Sequence, residues 1–265
     1  MSLLLNLSAL LALLPVGLFS LRAPARTGGL FWALLAVATA GPLLYVVISL
    51  GASWRSDLAM ALWLAVSASL LVFLPLCLIR PAARGLTALL VPYLFLMALG
   101  ATLAGAVEPA VALSEHLPGG WFSAHIAIAL ATYALLTLAA ITALAIFLKE
   151  RALKRKQMSS GIAAVLPSVA DCERLQDQLL GGAVIVLFGG LATGIALQLY
   201  RSGHVLKFDH KTVLSVVTFL VLAGLWIVHS RFGMRGRTVS RLVLVAYLLL
   251  TLAYPGVKFV AEILA

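Results

Sequence analysis

Five histidines are the residues of this chain best suited to chemistry: His116, His125, His204, His210 and His229. His125 falls in WFSAHIAIALATY and His229 in LAGLWIVHSRF, both inside long apolar runs. An imidazole in such surroundings needs a hydrogen-bond partner or a ligand. It is also the usual axial ligand of haem iron, a flat apolar group suited to a slot between helices. The alternative is a hydrogen-bonded structural histidine, or an interfacial one near the end of a helix. His204 and His210 stand with Lys207, Asp209 and Lys211 in a polar window, GHVLKFDHKT, between two apolar stretches. Asp209 between two lysines fits a local salt bridge as well as an active group. The sequence holds no serine–histidine–acid arrangement, paired carboxylates or P-loop, so nothing in it points to hydrolysis or phosphoryl transfer. Cys77 and Cys172 make no CxxC pair, zinc spacing or CxxCH haem-attachment motif.

The elements that must position these groups are membrane helices. Of 265 residues 63% are hydrophobic and 11% charged, against about 25% charged in a soluble domain, and the mean hydropathy is +1.11. Such a chain has too little polar surface to cover a globule in water. Its apolar runs reach the ~20 residues that a helix needs to cross a bilayer. Eight are expected, at about 2–20, 29–50, 57–79, 85–105, 121–148, 178–200, 211–230 and 239–262. The fold class is all-α, a polytopic bundle forming a single integral membrane domain over residues 1–265.

The net charge of +10 is explained by topology rather than by nucleic acid. Arg22, Arg26, Arg80, Arg84, Lys149, Arg151, Lys154, Arg155, Lys156, Arg174, Arg231, Arg235, Arg237 and Arg241 fall in alternate loops, fourteen of nineteen basic residues. That asymmetry makes those loops cytoplasmic and both termini external. The first apolar run has no preceding positive charge and reads as a retained span rather than a cleaved leader. GHVLKFDHKT then lies outside, and His125 and His229 lie at opposite ends of a ~30 Å thickness. They cannot ligate one iron together.

Three local features complete the reading. KERALKRKQ extends the fifth run into water, and Ser168 is placed to cap an amphipathic turn leading into the sixth. Gly190-Leu-Ala-Thr-Gly194 is a GxxxG whose small residues let helices approach closely, most simply within the bundle. Pro42 and Pro92 each stand near a tyrosine, Tyr45 and Tyr93, which could line a cavity.

From Trp121 onward the segments, in order and spacing, resemble the cytochrome c assembly protein family of the CcsA, CcmC and HemX type. WFSAHIAIALATY is similar to that family's histidine-bearing span, and FDHKTVLSVVTFLVLAGLWIVHSRFGMRGR to its WDPKE segment and the following histidine span with a basic turn. LPSVADCERL and YPGVKFVAEIL resemble further segments of the HemX-like, YpjD-type inner-membrane branch. Leu206 and Phe208 stand where the family's tryptophan-rich loop carries indoles, and His210 replaces a proline.

The resemblance implies a haem-binding or haem-handling protein of the bacterial inner membrane, associated with cytochrome c assembly. His125 and His229 would be iron ligands, and Asp209, Phe208 and His210 would belong to the haem-facing loop, with Phe208 able to stack on a porphyrin edge. The implied partners are membrane lipid, haem and other assembly or membrane proteins. Two other readings share the sequence: a permease-like transporter subunit, and an accessory scaffold that has lost the haem site and docks through its basic turn.

Overall fold

In lipid a backbone must satisfy its own N–H and C=O groups, and a helix does so within one segment. The computed structural model follows that rule. It describes residues 2–22, 28–52, 54–55, 57–107, 112–114, 119–156, 161–202, 210–232, 237–252 and 256. The helices are α1 (Ser2–Leu11), α2 (Leu14–Arg22), α3 (Gly29–Ala52), α4 (Leu58–Ile79), α5 (Thr87–Val107), α6 (Gly120–Lys154), α7 (Ile162–Val165), α8 (Val169–Ser202), α9 (His210–Phe232) and α10 (Arg237–Thr251). Among the described residues six helical stretches are long and apolar enough to cross a membrane, and Thr212–Val228 and Thr238–Thr251 are shorter apolar helices. The protein is a helical polytopic membrane bundle.

Three boundaries differ from the sequence expectation, each for a local reason. The first run is broken at Ala12 and Leu13, because Pro15 has no N–H to continue the ladder but suits the first turn of α2. α8 starts at Val169 rather than near 178, so the polar turn and the sixth apolar run are one helix. Ser168 does cap it: its Oγ accepts from Asp171 N–H at 3.1 Å and lies 2.6 Å from Asp171 Oδ2. The polar window is also shortened, since α9 already begins at His210.

Exposed Leu44, Leu78, Leu96, Ile185, Phe188, Leu220 and Leu248 ring the bundle, the inverse of a water-soluble surface. Inside, a contiguous apolar cluster runs from Ala9 to Leu250. α6 is its central helix: 72% of its most apolar stretch is buried, against 33 to 44% in the other long helices. Tyr45 packs on Trp63, ring centroids 5.0 Å apart, and receives a 3.4 Å bond from Asn6 Nδ2. Tyr93 likewise joins Tyr133 and Tyr247 in a phenol cluster. Tyr247 bonds the Tyr93 hydroxyl and lies 3.2 Å from that of Tyr133 and 3.4 Å from Thr137 Oγ1.

Two of the basic turns meet at one end of α6. A 3-10 turn, Pro81–Leu86, is held by Arg84, whose Nε donates to Cys77 O at 3.1 Å and whose guanidinium stacks over Trp32 at 5.2 Å. The segment before α8 folds onto this turn, so that a Cβ on Gly85 would lie 2.9 Å from Val165 O and 3.0 Å from Pro167 Cδ. Buried Lys149, at the same end of α6, donates its Nζ proton to Ala163 O at 2.7 Å. At the opposite end a short antiparallel ladder pairs β1 (Trp54–Arg55) with β2 (Ala112–Ser114).

Candidate functional site

α6 begins after Gly119 with the sequence GWFSAHIAI. Trp121, His125 and Ile128 are spaced i, i+4, i+7 and share a face of this helix. That face meets the small-residue face of α8. A Cβ on Gly190 would lie 3.4 Å from Ile128 Cγ2, and one on Gly194 only 3.1 Å from His125 Cε1 and 3.7 Å from its Nε2. The GxxxG therefore packs α8 on α6 inside the bundle, as small residues do where lipid removes any hydrophobic drive for helices to associate.

The half-buried His125 is tied to α8 through one nitrogen. Its Nδ1 lies 3.0 Å from Thr193 Oγ1, and Thr193 Oγ1 lies 2.9 Å from Gly189 O and 3.0 Å from Gly190 O. Toward the N-terminus of α6 and the C-terminus of α8, the same two helix faces diverge into a cleft of about 550 Å³. Gly119, Gly120, Trp121, Phe122, Ala196, Leu197 and Tyr200 line it. Its volume lies within the ~300–1,000 Å³ range of sites for small molecules and cofactors. Trp121 is 57% and Tyr200 91% exposed at the rim, as amphipathic rings are where a bilayer meets water.

No group of three or more His, Cys, Asp and Glu side chains that could cage a metal ion occurs among the described residues. The chemistry open to this corner is narrower: one imidazole beside an apolar, aromatic slot. That donor set suits an axial ligand to a flat, largely apolar metal macrocycle and does not suit a hydrated cation.

His229 lies in the last turn of α9 and His210 at its first residue, while Phe208 and Asp209, with His116 and His204, lie outside the described residues. Trp226, three residues before His229, packs its indole on Gly181, where a Cβ would be 3.0 Å from Nε1. Gly181 is twelve residues from Thr193 along α8, which is ~18 Å of helix. His125 and the turn bearing His229 therefore occupy different levels of the bundle.

Sequence reasoning missed Thr193, although it stands inside the GLATG motif singled out for its glycines. It also missed the phenol cluster. Tyr133, the last residue of WFSAHIAIALATY, is central to that cluster and stands eight residues, or ~12 Å of helix, beyond His125.

Comparison with known proteins bears on the same residues. The profile of the family described as "Cytochrome C assembly protein" matches residues 27–265. An uncharacterized 28.8 kDa protein from the nifR3-like 5' region of Azospirillum brasilense is 44% identical over 264 residues, covering 98% of this chain and 97% of that protein. The inner membrane protein YpjD of Escherichia coli K12 is 30% identical over 151 residues, 57% of this chain and 55% of its own length. No solved structure matches. With the profile spanning nearly the whole bundle, including α6, α8 and α9, this chain belongs to the cytochrome c assembly protein family.

Proposed function

We propose that this protein handles haem in the bacterial inner membrane in the course of cytochrome c assembly, as one integral membrane domain with the α6–α8 cleft on the external side. The observation that carries the proposal is His125, fastened through Nδ1 at 3.0 Å to Thr193 beside the aromatic cleft. The residues present fit the group: Nδ1 is engaged, Nε2 has no bond among the described residues, and the adjoining slot is apolar. Haem, when bound, supplies an iron that accepts an imidazole nitrogen and a macrocycle that prefers an apolar slot. His125 would hold the iron, and Trp121, Phe122 and Tyr200 would shelter the macrocycle from water.

His229, at another level, would serve a second position. Phe208, Asp209 and His210 would contribute from the connection before α9. The phenols of Tyr93, Tyr133 and Tyr247 take no part in this chemistry and fix α5, α6 and α10 to one another.

A visible spectrum of the purified protein supplied with haem tests the proposal. A Soret band shift in wild type that is lost in His125→Ala is the expected result, with His229→Ala showing whether the second position is independent. A protein that stays colourless, or that binds equally well without His125, would overturn it. The scaffold reading would then be preferred, since Leu206 and Phe208 replace the family's indoles.

A further inference from the structure

The Thr193 hydroxyl sits between an imidazole nitrogen and two backbone carbonyls, and it has a single proton to place. If that proton pointed at His125 Nδ1, both carbonyls would lose it, and Nε2–H would need an acceptor that the described residues do not provide. If it points at Gly189 O or Gly190 O, at 2.9 and 3.0 Å, the oxygen is free to accept from Nδ1–H at 3.0 Å. The second arrangement makes two hydrogen bonds where the first makes one. It is also the usual habit of a helix threonine, whose hydroxyl returns to the preceding turn.

We propose that Thr193 is a positioning residue that fixes His125 as the Nδ1–H tautomer, leaving the Nε2 lone pair as the nitrogen offered to a metal, with Gly194 supplying the space for the ring at Cε1. The inference deepens the haem reading and rests on it for the identity of the metal. Its structural half, the tautomer, stands apart from any ligand. A ligating histidine whose other nitrogen is hydrogen-bonded is held in one tautomer and one ring orientation, and loss of such a partner typically weakens metal binding ~10–100-fold. Gly194 acts through space: the Cβ of any other residue would crowd the ring at Cε1, 3.1 Å away.

The test uses the full chain in detergent micelles, labelled with ¹⁵N-histidine, at a pH where imidazole is neutral. His125→Gln identifies the His125 signals by their disappearance. Wild type and Thr193→Ser are expected to show Nδ1–H at His125. Thr193→Val, isosteric but without the hydroxyl, should lower the Nδ1–H to Nε2–H ratio about fivefold, the equivalent of one hydrogen bond of ~1 kcal/mol. Haemin titration of the same proteins should show binding about tenfold weaker in the valine variant and restored in the serine variant.

Wild-type His125 found as Nε2–H, or a tautomer indifferent to Thr193→Val, would overturn the inference. A wild type with the expected tautomer but no haemin-dependent Soret band would instead sink the haem reading, leaving the Thr193 assignment standing on the NMR result.

Discussion

One methyl group placed on α8 tests the geometry of the site more sharply than removal of its ligand. Gly194→Ala puts a Cβ 3.1 Å from His125 Cε1, whereas Gly189→Ala, five residues earlier on the same helix, meets nothing within 4 Å. Both substitutions gain the same ~1 kcal/mol of helix propensity over glycine, so the difference between them isolates the contact. Carbon atoms prefer ~3.5–4.0 Å, and the ring must retreat by several tenths of an ångström while Thr193 holds its other edge at 3.0 Å. Overpacking of this kind costs about 1–3 kcal/mol. At ~2–4 °C per kcal/mol for a chain of this size class, Gly194→Ala should melt roughly 2–12 °C below Gly189→Ala. The chain carries its own reporters, because Cys77 and Cys172 are free and buried and react with a thiol dye only as the bundle opens. Equal midpoints for the two variants, or a higher one for Gly194→Ala, would refute the packing of His125 on α8.

Three further experiments probe the rest of the bundle. Gly85→Ala drives a Cβ to 2.9 Å from the Val165 carbonyl oxygen, and Lys149→Met removes the 2.7 Å bond to Ala163 O. Either should loosen residues 161–168 and speed trypsin cleavage at the neighbouring Lys154 and Arg155, and unchanged cleavage would refute the docking. Tyr247→Phe removes the hydroxyl shared by Tyr93, Tyr133 and Thr137. Unpaired buried polar groups cost ~1–3 kcal/mol each, so the midpoint should fall by several degrees, while Tyr45→Phe, which loses one 3.4 Å bond, should fall less. In a Cys77→Ala, Cys172→Ala background, a membrane-impermeant maleimide added to intact cells should label Tyr200→Cys and spare Arg80→Cys. The reverse pattern would invert the proposed orientation.

Much of this was legible because it is local. Ser168 as a cap, the helical extension of α6 to Lys154 and the small residues of the GxxxG each depend on residues a few positions apart. The start of α8 was not, because hydropathy registers only where the apolar run begins and is blind to a polar turn that continues the same helix. The break before Pro15 was hidden for the converse reason, since apolar composition persists through a gap in the hydrogen-bond ladder. The site was half legible. His125 announces itself as an ionisable group in an apolar run, but Thr193 looks like any helix threonine until α8 is packed on α6. The phenol cluster needs three helices far apart in sequence, and no periodicity in one segment reports it.

The placement of Tyr247 has a consequence for how the chain is made. α6 and α8 are separated in sequence only by the short α7 and can pair as a hairpin soon after synthesis, but α10, emerging later, carries the hydroxyl that satisfies Tyr93 and Tyr133. Until it docks, those two phenols face lipid or one another without their shared partner, so an incompletely assembled chain carries a polar blemish on an otherwise greasy surface. Docking of α10 thus converts two unshared phenols into a buried polar link between three helices.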